Sequence, residues 1–132
     1  MFYTDEDKKK LKNILLSNFP PELRKDLWII ASGARKEMKD FPNYYNDILN
    51  EYPDYVPCLF EKNIENDLNR TFPEEEFYQD PDNINKIKNI LIAFSRRNSS
   101  IGYTQGFNFI VGRILKIMEN EVRINIYIIY YF

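Results

Sequence analysis

Ile64-Glu65-Asn66-Asp67-Leu68-Asn69-Arg70-Thr71-Phe72-Pro73 is the stretch on which the reading of this chain turns. Ile64, Asp67 and Leu68 recur at helical spacing and so share one face of a helix. Pro73 has no amide hydrogen to donate and breaks that helix. Arg70 therefore falls on the last turn or just beyond it, where its guanidinium is free to point at a visiting molecule. Further along comes Gly102-Tyr103-Thr104-Gln105-Gly106-Phe107-Asn108, with a glycine on either side of a glutamine. Glycine lets the backbone turn sharply and come close to another surface. The chain thus offers one long cationic side chain and one long amide, each on a loop or a helix end.

Working outward, helical signals dominate. Thr4 followed by Asp5, Glu6 and Asp7 is a capped helix start, and Leu11, Ile14 and Leu15 make a narrow apolar stripe to about Ser17. Residues 1–17 are expected to form a surface helix preceding the main domain. After a turn at Asn18-Phe19-Pro20-Pro21, Leu23, Leu27, Ile30 and Ala31 fall at helical spacing, with Trp28 one turn beyond Arg24 and Gly33 as a stop. Trp28 is expected in the core. A short tyrosine-rich helix is expected between Pro42 and Pro53, and a further one from about Leu59 into the opening stretch. Glu74, Glu75 and Glu76 read as solvated surface.

Asp80 as cap and Pro81 as first helical residue open the next helix, with Ile84, Ile87, Leu91 and Phe94 down one face, Ile90 flanking, and Arg96 and Arg97 at its negative end. Phe107, Ile110, Val111, Ile114, Leu115, Ile117 and Met118 make a helix apolar around most of its girth, expected at the centre of the core. Residues 124–132 are again apolar and carry no cap, which suggests a domain cut partway through and a surface prone to self-association. The same segment is β-branched and aromatic enough for a strand, but one that would lack a partner. The expected fold is all-α, an irregular array of six or seven helical segments without a sheet.

Composition narrows function. With 132 residues, 44% hydrophobic and 16% aromatic, the chain suits one domain or part of one. A net charge of -2 argues against a general binder of nucleic acid or anionic membrane. The absence of histidine removes Ser-His-Asp and Cys-His centres and histidine-based metal sites, and the lone Cys58 removes an internal disulfide or a thiolate zinc cluster. The polar N-terminus does not read as a secretory signal, and no apolar run reaches the roughly 20 residues of a membrane span. A soluble protein of the reducing cytoplasm is expected.

Three blocks now stand in register: Arg24-x-x-x-Trp28 with Gly33, Ile64-x-x-Asp67-x-x-Arg70-Thr71, and Tyr103-x-Gln105-Gly106-x-Asn108. Together they resemble the signature blocks of the TBC domain, the catalytic module of Rab GTPase-activating proteins. The resemblance runs from residue 18 to residue 132, roughly the N-terminal half of such a domain. Asn18 stands where the family usually has a glycine, and asparagine also tolerates left-handed backbone. The resemblance implies that Arg70 is an arginine finger and Gln105 a glutamine finger, lent in trans to a Rab-type GTPase whose own site carries out the hydrolysis. Asp67, Arg24 and Thr71 would support them, with Asp67 holding Arg70 or pairing with Arg24. Tyr103, Gly106 and Asn108 would fix the glutamine loop and meet the partner. No cofactor or metal of the chain's own is implied, since GTP and Mg2+ travel with the GTPase. The implied setting is vesicle trafficking in the cytoplasm, at the periphery of endomembranes through the partner. An inactive helical module that only binds GTPases or other partners is the alternative.

Overall fold

The computed structural model describes residues 4–17, 20–51 and 58–118. Among the described residues the chain forms seven α-helices and two 3₁₀ turns and no strand, so the all-α expectation holds. The expectations for residues 18–19, for 52–55 and for the apolar segment 124–132 lie outside the described residues, as does the side chain of Trp28.

The first helix, α1 (Asp5–Leu16), starts as its sequence requires: the Asp7 amide donates to Thr4 Oγ1 at 3.2 Å, and the Thr4 amide donates back to the Asp7 carboxylate at 3.0 Å. This reciprocal cap satisfies donors that a helix start would otherwise leave bare. Ile14 and Leu16 remain 46% and 76% exposed, so these two side chains are not docked on the core. A 3₁₀ turn (Pro21–Leu23) leads into α2 (Arg24–Ala31). Here Ile29 is buried, whereas Ile30, which the spacing favoured, is only half-buried. Ile29, rather than Ile30, lies on the side of this helix that the rest of the fold covers.

Gly33 has φ 72° and stops α2 as expected, but α3 (Ala34–Asp40) begins at once and was not foreseen. Tyr45 and Ile48 of α4 (Tyr44–Asn50) are buried against Ala93. The remaining helices are α5 (Glu61–Leu68), α6 (Pro81–Arg97) and α7 (Phe107–Met118).

The core is organised around α6 together with α7. Asp80 caps α6 by accepting from the Asp82 amide at 2.9 Å, and Pro81 occupies its first turn. From Ile90 to Ser95 every residue is buried, because α6 is covered on several sides by α4, α5 and α7. A helix apolar all round is stable only when surrounded in this way. Polar side chains fasten the neighbours: Lys88 reaches Glu61 and Glu65 on α5 at 2.8 and 2.7 Å. Arg96 donates to the Leu49 carbonyl at 2.8 Å, closing an acceptor at the end of α4. No helix among the described residues is long and apolar enough to cross a membrane.

Candidate functional site

The α5 helix stops at Leu68, so Arg70 stands just beyond its end, with its amide donating to the Asp67 carbonyl in a tight turn at 3.2 Å. Its side chain is 51% exposed. Asp67, one turn earlier, is held inward. The Arg70 Nε and Nη2 both donate to Asp67 Oδ1, at 3.0 and 2.7 Å, which fixes the plane of the guanidinium. Of the two partners that the sequence allowed Asp67, Arg70 takes the carboxylate. Arg24 lies exposed at the start of α2.

The second carboxylate oxygen ties in the glutamine loop. Tyr103 Oη donates to Asp67 Oδ2 at 2.6 Å, two residues before Gln105. One buried carboxylate thus braces the exposed arginine on one oxygen and the root of the glutamine loop on the other. Burial alone would raise the Asp67 pKa, but the hydrogen bonds from Tyr103 and Arg70 and the arginine charge outweigh it and lower the pKa. Burial and the adjacent carboxylate push the Tyr103 phenol far above its ordinary range, so it remains a donor. Asn63, Asn66, Asp67, Tyr103 and Gln105 line an open cleft here, and the exposed Gln105 amide makes no hydrogen bond to any other described residue. Among the described residues no cluster of side chains could hold a metal ion.

Two of the residues expected to fix the glutamine loop and to meet a partner, Tyr103 and Asn108, are buried beneath it. Asn108 is 0% exposed and Tyr103 9%. Asn108 Nδ2 donates to Thr71 Oγ1 at 2.8 Å and to the Asp67 carbonyl at 3.3 Å, while the Thr71 hydroxyl donates to the same carbonyl at 2.9 Å. This knot stitches the start of α7 to the turn that carries Arg70, and a fully buried amide has nothing to offer a visitor. The two glycines also divide their tasks. Gly102 has φ 64° and lies so close to the Phe60 ring that an added Cβ would fall 2.2 Å from it. Gly106, at φ 103°, has open space where a Cβ would be. Gly102 therefore serves packing, and only Gly106 leaves the loop room toward solvent.

The turn after Arg70 carries a feature the sequence reading missed. Phe72 has φ 42°, a left-handed conformation that a non-glycine residue adopts at a cost of the order of 1–3 kcal/mol. Its ring packs on Tyr78 at 4.9 Å and edge-on to Phe109 at 5.1 Å. Glu75, expected to be solvated, receives Arg113 and Lys116 from α7, each at 2.7 Å.

Comparison with known proteins agrees with this layout. The model of the Rab-GTPase-TBC domain family matches residues 21–129. The chain belongs to that family. It is similar to growth hormone-regulated TBC protein 1-A of Danio rerio, 33% identical over 115 residues, covering 85% of this chain and 32% of that protein. It is similar also to growth hormone-regulated TBC protein 1 of Homo sapiens, 35% identical over 116 residues, covering 86% and 34%. The chain thus spans about a third of the length of these relatives. The crystal structure of the Chlamydomonas flagellar RabGAP TBC domain superposes with a TM-score of 0.77 at 27% identity, over 96% of this chain and 42% of that one.

Proposed function

We propose that this TBC chain accelerates GTP hydrolysis by a Rab-type small GTPase, lending Arg70 and Gln105 to the partner's nucleotide. The observation that carries the proposal is the shared carboxylate of Asp67, which fastens the exposed Arg70 on one oxygen and the root of the Gln105 loop on the other. GTP hydrolysis spreads negative charge over the transferred phosphoryl group while a water must be held in line for attack. A guanidinium has a permanent charge and a planar fork of donors, so it can bridge those oxygens in a way a lysine does not. A carboxamide has both a donor and an acceptor, so Gln105 can orient the water while bonding to phosphate. The nucleotide and its Mg2+ come with the GTPase, and the reaction takes place in the cytoplasm on the surface of the partner.

Single-turnover GTP hydrolysis by a panel of purified, GTP-loaded Rabs is the test. The intact chain accelerates at least one of them, and Arg70→Ala removes on the order of 10³-fold or more of that acceleration without changing the circular dichroism spectrum. Arg70→Lys fails to restore it. Because the chain spans about a third of its relatives' length, a module that binds without catalysing is the second reading. Capture of a Rab with no change in its hydrolysis rate would select that one.

A further inference from the structure

We propose that Arg113, on α7, is a positioning residue for the arginine finger, acting by clamping the strained turn that follows Arg70. The inference rests on the reading of Arg70 as the finger. The Arg113 guanidinium lies 3.8 Å from the centroid of the Phe72 ring, and its Nη atoms donate to both oxygens of Glu75 at 2.7 and 3.0 Å. Glu75 belongs to the same turn, its amide donating to the Phe72 carbonyl at 3.0 Å. One side chain from α7 therefore holds both the ring of Phe72 and the far end of its turn. Lys116, one turn further along α7, holds Glu75 from the same side at 2.7 Å.

Phe72 sits at φ 42°, and a residue keeps such a conformation only where its surroundings over-determine it. Tyr78 and Phe109 flank the ring, and the guanidinium covers it. Only Thr71 separates Phe72 from Arg70, and Thr71 is tied to Asp67 and Asn108. The path of the chain out of α5 is thus pinned at Thr71 and at Phe72 to Glu75. With the second pin released, Thr71 alone holds the backbone between Arg70 and the strained Phe72, so relaxation of Phe72 toward ordinary angles is resisted at one point only and the placement of Arg70 against Asp67 loosens. Arg70, Phe72 and Glu75 also border one open surface cleft, so the clamp lies on the rim of the finger's own surface.

The test compares Arg113→Gln, Arg113→Lys and Glu75→Gln in the full chain, with Arg70→Ala as the reference. The first readout needs no partner: in the 15N-labelled chain the Arg70 Nε–H resonance reports its bond to Asp67. It should shift or broaden in Arg113→Gln and Glu75→Gln while the spectrum of the core is retained. The second is hydrolysis by the most responsive GTP-loaded Rab of the panel. Misplacing a transition-state group should lower kcat about tenfold to a hundredfold in Arg113→Gln. KM should stay within about twofold, because a displaced finger leaves ground-state binding intact. Arg113→Lys keeps the charge on Glu75 and should recover part of the lost kcat. If Arg70→Ala abolishes acceleration while Arg113→Gln and Glu75→Gln keep the full kcat, the clamp is wrong and the finger stands. If Arg70→Ala changes nothing, the finger reading fails, and an unmoved Arg70 resonance in the clamp variants refutes the clamp separately. Should Arg113→Gln not fold, Arg113→Lys and Glu75→Gln decide by the same two readouts.

Discussion

At the scale of single residues the site depends on a carboxylate that must stay ionised while buried. Burial works against the Asp67 charge, but donors from Tyr103 and Arg70 win and place its pKa below the ordinary 3.8. A group whose pKa is lowered by folding contributes stability above its unfolded value, and that stability is lost as pH falls through the folded one. The difference in melting temperature between the wild type and Asp67→Asn should therefore be constant from neutral pH down to about 5 and shrink only below about 4. A difference that instead collapsed between pH 7 and 5 would rule out this charge assignment. Tyr103→Phe leaves a buried carboxylate oxygen without its donor and should cost about 1–3 kcal/mol in urea unfolding, with acceleration reduced as Arg70 loosens. The sequence places Arg70 one turn after Asp67 at a helix end and Gln105 in a glycine-flanked loop, as the structure has them, while the roles of the two as fingers come from the family resemblance. It does not show the task of Asn108, whose acceptors, Thr71 and the Asp67 carbonyl, come from another element. Nor does it show the left-handed Phe72, because no sequence signal marks a strained phenylalanine held by an arginine on a different helix.

At the scale of elements, the loop between α6 and α7 is fixed at one glycine and left open at the other. Gly102→Ala combines a left-handed backbone with a Cβ driven into the Phe60 ring, whereas Gly106→Ala meets only backbone strain. Backbone strain of this kind costs on the order of 1–3 kcal/mol, so Gly106→Ala should fold, with its defect mainly in hydrolysis. Gly102→Ala should lower the melting temperature by clearly more, and equal losses in the two variants would contradict the division of labour. The long α6 was legible because its Asp80-Pro81 start and its apolar period agree with each other and with what surrounds it. The short α3 was not. Its seven residues hold little apolar pattern, and Gly33 signals an end rather than a restart. The burial of Ile29 over Ile30 was equally hidden, since a helix of eight residues allows several apolar faces and the neighbours choose among them.

At the scale of the whole molecule, the motif order and the helical array agree with the TBC family, and the chain spans about a third of its relatives' length. The apolar composition of residues 124–132, which lie outside the described set, leads to the expectation of self-association. Light scattering at high concentration should give a mass above that of one chain, and a single-chain mass throughout would contradict it. The central claim concerns differential binding, since a finger that acts in the transition state contributes little to the ground state. The direct measurement is the affinity of the chain for a responsive Rab loaded with a non-hydrolysable GTP analogue, compared with the same Rab loaded with GDP and aluminium fluoride, for the wild type and Arg70→Ala. The wild type is predicted to prefer the aluminium fluoride form and Arg70→Ala to bind both forms alike. An undiminished preference in Arg70→Ala would contradict the account.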